Sequence, residues 1–168
     1  MKHSRKIGDG DDDDFPVRID GKRLDRQKRK LIKQSRGISF RCVHCSVEIS
    51  TNATATAHRN HCPMCLWSRH VDNSVGDRRS TCLSAMKPLG LSIKEPGEEL
   101  MIVHQCVACD KIIRNRIAGD DNSFVIMDLL ESSLLLPEEK ECEIAKAGIQ
   151  LCVDRELVSQ CLWGKATI

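Results

Sequence analysis

The chain has 168 residues, of which ten are cysteine, three Phe, two Trp and none Tyr, with 30% charged residues and a formal net charge of +2. This length allows one modest domain with tails. No run approaches the roughly 20 apolar residues that span a membrane, and residues 1–9 lack the apolar stretch of a secretory signal. We therefore expect a cytoplasmic protein with no membrane partner, whose paired Cys-x-x-Cys motifs favour metal over disulfides.

Residues 1–36 carry 12 Lys and Arg against 7 Asp and Glu. An acidic block at residues 8–14 precedes residues 18–36, which hold nine basic and two acidic side chains. Charge runs of this kind repel themselves, so the sequence predicts a disordered charged arm. The arm is either a solubilising tail or a basic segment that docks on phosphate groups.

Residues 37–122 hold seven of the ten cysteines. β-like runs at residues 38–41 and 100–104 lead into Cys-x-x-Cys turns, and the pattern Cys-Val-x-Cys-x-x-x-Ile occurs at 42–49 and again at 106–113. Each copy predicts a strand, a metal-binding turn and a return strand, while proline and glycine at 87–90 and 94–97 predict loops. The sequence thus predicts a small α+β, zinc-ribbon-like module with two structural zinc sites.

Three Cys-x-x-Cys turns, at residues 42–45, 62–65 and 106–109, are called here the first, second and third knuckles. The first and second are separated by 16 residues, which is within the range of a four-cysteine zinc site. Zn²⁺ takes four thiolate or imidazole ligands in a tetrahedron. The downstream residues supply donors for a second ion: His70, Cys82, His104, Cys106 and Cys109.

Two ligand arrangements remain open from the sequence. In the sequential arrangement the first and second knuckles share one ion, and the third knuckle, Cys82 and either His70 or His104 hold the other. In the nested arrangement the first and third knuckles share an ion, and the second knuckle closes around the other with His70 and Cys82. The predicted Zn²⁺ ligands are Cys42, Cys45, Cys62, Cys65, His70, Cys82, Cys106 and Cys109, and no catalytic residue is predicted. Among the other histidines, His44 and His58 are predicted to face solvent or to contact the metal ligands without binding the ion. His61 is predicted to hydrogen-bond a cysteine sulfur or a backbone group.

Residues 123–168 predict a short helical C-terminal extension. Apolar residues at helical spacing over 124–136 follow a cap at Asn122 or Ser123. Pro137 with the acids behind it suits the first turn of a second helix, and a third segment runs over 151–162. The remaining cysteines lack knuckle spacing and are predicted to be small buried apolar residues: Cys142, Cys152 and Cys161.

The motif Arg59-Asn60-His61-Cys62-Pro63 resembles the one that names the RNHCP-domain family of small, mostly bacterial proteins. The resemblance continues through Cys65-Leu66-Trp67-Ser68, His70-Val71-Asp72, Gly76-Asp77-Arg78, Cys82, Met86, Pro88, His104-x-Cys106-x-x-Cys109 and Asn115-Arg116. It covers about residues 37–122 and implies a zinc-binding fold, and it leaves the biochemical function open. Ser46, Ser84 and Asp110 stand where glycines are expected in the turns of such a fold.

Three functions follow as hypotheses, of which the first is binding of RNA or a ribonucleoprotein such as the ribosome. Basic side chains give phosphate affinity that falls with salt, and Trp67 either stacks on a base or lies in the core. The residues proposed for this role, besides the arm, are Arg59, Arg69, Arg78, Arg79, Arg114 and Arg116.

The second hypothesis is a protein-interaction adaptor that docks partners on its acidic C-terminal helices. The third is a metal-dependent hydrolase or nuclease that uses His58, His61, Asp72 and Asp77. Catalytic zinc keeps one open position, whereas this chain offers enough ligands to close two sites, which disfavours the third hypothesis. The adjacent pair Asp120-Asp121 is predicted to be solvated in a polar turn.

Overall fold

The computed structural model describes residues 39–51, 53, 59–74, 76–95 and 99–164. The predicted disordered arm and the prediction for His58 lie outside these residues. Within them the chain forms two antiparallel sheets and three helices, which is the predicted α+β composition. No helix in these ranges is both long and apolar enough to cross a membrane.

A two-stranded sheet carries the first knuckle, and a four-stranded sheet carries the third. The small sheet pairs β1 (Ser39–Arg41) with β2 (Glu48–Ser50). The larger sheet has the order β3-β4-β5-β6, with β3 (Ser68–Arg69), β4 (Ala85–Lys94), β5 (Glu99–Cys106) and β6 (Ile112–Arg116). The repeat read from the sequence is therefore confirmed, because each copy lies between an incoming and a returning strand.

Strand β5 is buried on both faces of the larger sheet. Successive strand residues point to opposite faces. Ile102 accordingly packs in a cluster with Ile126, Leu130 and Val158 of the helical region, while Val103 packs in a separate cluster with Ile144. Helices therefore cover both faces, which explains the continuous apolar run of β5.

The loop predicted at residues 87–90 lies instead inside β4. β3 pairs with β4 at Ala85 and Met86, so Pro88 lies beyond this pairing, where a proline without an N–H is tolerated. A register shift between Pro88 and Gly90 marks a bulge. A Cβ at Gly90 would lie 2.9 Å from Ser133 Cβ, so the close approach of the first helix requires glycine there.

The three predicted helices are confirmed as α1 (Ser123–Ser133), α2 (Glu138–Lys146) and α3 (Arg155–Trp163). The Asn122 side chain caps α1 by accepting from the N–H groups of Phe124 and Val125, and Asp154 caps α3 by accepting from Leu157. Pro137 precedes α2, whose first turn holds three acids that suit the positive end of the helix dipole.

The burial predicted for the three isolated cysteines holds only for Cys152. Cys142 and Cys161 are exposed, so the prediction is wrong for both. Ile144 is the buried residue of α2 and Val158 that of α3. A helix that buries so narrow a stripe leaves its other residues in solvent, whatever their hydrophobicity.

Candidate metal centres and the adjacent cleft

The Sγ atoms of Cys42, Cys45, Cys62 and Cys65 lie within 4.8 Å of one another and are called here site 1. Individual Sγ–Sγ distances are 3.5 Å for Cys42–Cys65, 3.6 Å for Cys45–Cys62 and 3.7 Å for Cys45–Cys65. None of these cysteines forms a disulfide. The first and second knuckles therefore converge on one point.

His70, Cys82, Cys106 and Cys109 form a second group of the same size, called here site 2. The Sγ atoms of Cys82 and Cys106 are 3.5 Å apart, and His70 Nδ1 is 3.3 Å from Cys109 Sγ. His70 follows β3, and Cys106 ends β5. Two backbone hydrogen bonds, His70 N–H to Ser84 at 2.8 Å and Leu83 N–H to His70 at 3.1 Å, hold the loop that carries Cys82 against His70.

Both groups fit a zinc ion. Zinc–sulfur bonds of about 2.3 Å in a tetrahedron place sulfur atoms about 3.8 Å apart, close to the spacing seen in both sites. Thiol and imidazole are the donors that zinc prefers in structural sites. The grouping is the sequential one, and the nested arrangement is wrong, because the first knuckle meets the second and not the third.

His104 does not take the histidine position of site 2. It is fully buried, its Nε2–H donates to the Leu66 carbonyl at 2.7 Å, and its Nδ1 accepts from the Asn115 amide at 2.9 Å. Burial lowers the pKa of His104 to about 4, so both bonds are made by the neutral ring. Its role is to join the second knuckle to the sheet.

The three knuckles share one backbone geometry. The N–H of the first cysteine in each donates to the carbonyl five residues on, at 2.9 Å, in the pairs Cys42–Val47, Cys62–Trp67 and Cys106–Lys111. The sulfur of the first cysteine also accepts backbone N–H groups, from His44 at 3.4 Å in the first knuckle and from Met64 at 3.4 Å in the second. This repetition extends to the second knuckle, which the sequence pattern did not indicate.

The residue after each knuckle, and after Cys82, has a left-handed backbone. The φ values are 61° for Ser46, 60° for Leu66, 58° for Leu83 and 56° for Asp110. Glycine is favoured at such positions because other residues bring Cβ too close to the backbone. The prediction of a backbone that favours glycine is therefore confirmed at Ser46 and Asp110. It is wrong at Ser84, because the left-handed residue of that turn is Leu83.

The buried thiols of both sites differ in pKa from the exposed thiol of Cys45. Burial raises the pKa of Cys62 to about 11 and that of Cys106 to about 11, whereas a hydrogen bond from the Val47 backbone lowers the pKa of the exposed Cys45 to about 7. Burial also lowers the pKa of His70, which favours the neutral imidazole that zinc binds. A coordinating metal deprotonates buried thiols of this kind outright.

Arg59, Asn60 and His61 are not metal donors but form a clasp between the second knuckle and the segment before α1. Arg59 is 3% exposed, and its guanidinium pairs with Asp120 at 2.7 Å and with Asp121 at 3.2 Å. His61 Nε2 lies 2.8 Å from the Asp121 carboxylate. The side chain of Asn60 donates to Asn115 at 3.2 Å.

The contacts of the clasp show that the predictions for His61 and for the pair Asp120-Asp121 are wrong. His61 contacts a carboxylate rather than a sulfur or backbone group. The Asp121 side chain is fully buried, where it also accepts from the Ala118 N–H at 2.8 Å, whereas the Asp120 side chain is 48% exposed. The partners are about sixty residues apart in the chain, so no local pattern could have indicated them.

An open cleft lies beside site 1, between β1, β3 and the loop after β3. Its aromatic wall is formed by Phe40 and Trp67, and its lining residues include four arginines and no carboxylate: Arg41, Arg59, Arg69 and Arg78. Trp67 is half-buried, packs against the cluster of Cys42, Ile49 and Cys62, and stacks on the exposed His44 ring at 4.3 Å. It therefore serves the core and also borders the cleft.

Each of the three described residues of the hydrolase hypothesis has a structural partner. Asp72 accepts from the Arg78 N–H at 2.7 Å, and Asp77 accepts from the N–H groups of Asn73, Ser74 and Arg79. Both carboxylates thus organise their own loop, while His61 belongs to the clasp. His58 lies outside the described residues.

A scan against protein families matches the RNHCP domain over residues 37–127, which is more than half of the chain. No curated protein and no solved structure shows a significant match. The matched region contains both metal groups, the clasp and the start of α1. The chain belongs to the RNHCP domain family.

Proposed function

We propose that the protein is a structural zinc module that binds single-stranded RNA, free or within a ribonucleoprotein such as the ribosome, in the cytoplasm. The eight donors of sites 1 and 2 would hold the two ions, and each site has four protein ligands within reach of one point. A catalytic zinc leaves one position for water or substrate. The completeness of both groups therefore supports ions that stabilise the fold.

The cleft beside site 1 is the observation that carries RNA binding. It combines guanidinium groups with exposed aromatic surface, and no acidic side chain lines it. Bases stack on aromatic side chains, at a gain of about 1–3 kcal/mol per base, and arginine donates to base edges and phosphates.

The charges around the cleft favour different RNA contacts for the cleft and for residues 18–36. Zinc with four thiolates leaves site 1 with a net charge of about −2. Two of the arginines have acidic partners, Arg59 with Asp120 and Asp121, and Arg78 with Asp72 at 3.7 Å. The cleft is thus close to neutral, so we assign base contacts to the cleft and phosphate neutralisation to residues 18–36.

Salt titration of RNA binding by the full-length protein tests this proposal. Each neutralised phosphate contributes a log–log slope of about −0.7 for single strands. Deleting residues 1–36 should flatten the slope by several such increments and weaken all sequences alike. Replacing Trp67 by Phe should weaken binding with little change in slope, and zinc content should be unchanged. A full-length protein that binds no RNA at low salt would refute the proposal.

A protein adaptor is the second candidate, supported by apolar side chains exposed on the helical region. Phe124 is 76% exposed, Leu135 85% and Trp163 58%. Leu135 lies three residues before the acidic first turn of α2, so this part of the surface suits a partner with basic and apolar groups. Replacing Leu135 by Glu should abolish such an interaction and leave RNA binding intact. If RNA binding fails and partner binding is lost with Leu135→Glu, the adaptor function is the correct one.

A further inference from the structure

We propose that the basic segment at residues 18–36 docks on an apolar and acidic surface of the helical region in the same chain. This surface, called here the helical patch, consists of Leu134, Leu135, Val153 and the first turn of α2. No RNA takes part in the contact, so it can be tested separately from the proposed function. It follows from the exposure and charge of the patch and from the composition and length of the segment.

The apolar part of the helical patch consists of three exposed side chains. Leu135 is 85% exposed, Val153 60% and Leu134 54%. Each leaves hydrocarbon surface in water, and burial of that surface would be favourable. Exposed apolar side chains mark a contact site when they lie together on the surface.

Two contacts bring the segments that carry these side chains together. One segment follows α1 and the other precedes α3. A Cβ at Gly90 would lie 2.9 Å from Ser133 Cβ and 3.0 Å from a Leu151 methyl carbon, so both segments pack against the same point of β4. The ion pair between Arg155 and Glu131 joins them a second time. The three apolar side chains therefore belong to one area of the surface.

The rest of the helical patch is acidic. Glu138, Glu139 and Glu141 belong to the first turn of α2, and all three are exposed. The ion pairs among the described residues include none of them. Residues 123–164 as a whole hold eight acidic and three basic side chains. A ligand with positive charge beside apolar surface would suit this patch.

Residues 18–36 have the complementary chemistry. They carry nine basic and two acidic side chains, and Leu24, Leu31 and Ile32 add apolar surface between the basic groups. The basic groups would meet the carboxylates of α2, and the apolar side chains would cover those of the patch. Both kinds of surface on the segment thus have a counterpart on the helical region.

The covalent link favours the chain's own segment over a separate partner. Leu24 lies fifteen positions before Ser39, the first described residue, and an extended chain of that length spans about 50 Å. A domain of about 120 residues has a radius of gyration of about 14 Å, so the segment is long enough to extend across it. A tethered segment meets its site at an effective concentration on the order of millimolar. A contact too weak to hold a separate peptide can therefore form.

Zero-length cross-linking of the full chain, freed of nucleic acid, tests the contact. A water-soluble carbodiimide joins a lysine to a carboxylate that touches it, and mass spectrometry of the digested protein locates the links. We expect links to Glu138, Glu139 or Glu141. The lysines available in the segment are Lys22, Lys28, Lys30 and Lys33. An equal mixture of isotope-labelled and unlabelled protein distinguishes links within a chain from links between two chains.

Variants of exposed residues separate docking from simple charge attraction. Leu135→Ser should weaken docking about tenfold or more, as expected for exposing one leucine side chain. The triple change Leu24→Ser, Leu31→Ser and Ile32→Ser in the segment should have at least the same effect. Phe124→Ser is the matched control, because Phe124 is 76% exposed but lies at the other end of α1, about 15 Å away along the helix. Zinc content and dispersed amide signals verify that each variant is folded.

Links from the segment to α2 within one chain, lost with Leu135→Ser and kept with Phe124→Ser, support the docked segment. Links to the acidic block at residues 8–14, with none to α2, overturn it. Links between different chains alone also overturn it, because they mark an association of two copies. A yield that Leu135→Ser leaves unchanged does so as well, because it marks a contact through charge without the apolar patch.

Discussion

Sites 1 and 2 each hold four donors, four cysteines in site 1 and three cysteines with His70 in site 2, but they differ in what surrounds them. Site 1 lies on a two-stranded sheet, and its local cluster of buried residues consists of Cys42, Ile49 and Cys62, two of which are its own metal donors. Site 2 lies at the end of the four-stranded sheet, whose strands contribute to two larger apolar clusters shared with the helices. The metal and its ligands therefore form most of the core around site 1. Around site 2, the metal adds to a core that apolar side chains already form.

Loss of one site 1 ligand should have the largest effect, and it should be local. Structural zinc contributes about 10–16 kcal/mol of apparent binding free energy in small zinc modules. With Cys62→Ser we expect one zinc ion per chain and loss of amide protection over residues 39–50, while β4, β5 and α1 stay protected. Elemental analysis and hydrogen exchange measure both.

The matched change at site 2 is Cys106→Ser, which should also leave one ion but reduce protection in β5 and β6. Its apolar clusters should preserve the helices and part of the sheet. If instead Cys62→Ser unfolds the whole chain, or Cys106→Ser leaves the sheet unchanged, the contrast between the two regions is incorrect.

Removing the Asp121 carboxylate should have the next largest effect, because this fully buried side chain contacts Arg59, His61 and the Ala118 N–H. Arg59 keeps Asp120 as a partner, so we expect a cost of about 1–3 kcal/mol, that of leaving buried hydrogen-bonding groups unsatisfied. Asp121→Asn should lower the free energy of unfolding in urea by that amount. Asp120→Asn is the comparison: its carboxylate is 48% exposed and Arg59 keeps Asp121 as a partner at 3.2 Å, so we expect a smaller loss. Equal losses in the two variants would show that the buried pair has no special role.

Gly90→Ala should destabilise the scaffold of site 2 more than that of site 1. The added Cβ would lie 2.9 Å from Ser133 Cβ and 3.0 Å from a Leu151 methyl carbon. Overpacking costs about 1–3 kcal/mol in well-packed cores. Thermal unfolding should show the loss, while the exchange rates of residues 39–50 should stay close to those of the unchanged protein. A neutral substitution would mean that β4 and the end of α1 are less tightly packed than described.

The smallest expected effect is a gain of stability from glycine in the knuckles. Ser46→Gly in site 1 and Asp110→Gly in site 2 each relieve a left-handed backbone that costs other residues about 1–2 kcal/mol, against about 0.5–1 kcal/mol of added chain entropy. We expect gains of up to about 1 kcal/mol, measured by urea unfolding. Ser84→Gly is the control and should not stabilise, since Ser84 is absent from the left-handed residues. Stabilisation of Ser84→Gly alone would contradict the turn geometry.

The sequence predicted those features whose determinants are close together in the chain. The knuckles follow from two cysteines three positions apart, and the helices from caps such as Asn122 and Asp154 followed by apolar residues at helical spacing. The choice between the sequential and nested arrangements depended on how the sheet folds, because both use the same seven cysteines. That information lies in strand pairing, which no local pattern specifies.

The predictions failed mainly for side chains whose partners are distant in the sequence. His61 and Asp121 are separated by sixty positions. Considered alone, Asp121 was predicted to be solvated and His61 to hydrogen-bond a cysteine sulfur or a backbone group. His104 was a reasonable zinc ligand by spacing, yet its ring nitrogens are both occupied by Leu66 and Asn115. In the family motif, Arg59, Asn60 and His61 support site 1 through the clasp, while Cys62 supplies the donor.

The most direct test of the two-site account is proton–cadmium correlation NMR on the cadmium-substituted full-length protein. Cadmium replaces zinc in thiolate sites and couples to the β-protons of its cysteine ligands. The account predicts two cadmium resonances, one correlated with the cysteines of the first and second knuckles, and the other with Cys82, the third knuckle and the His70 ring. A single resonance, or one ion correlated with both Cys42 and Cys106, would contradict it.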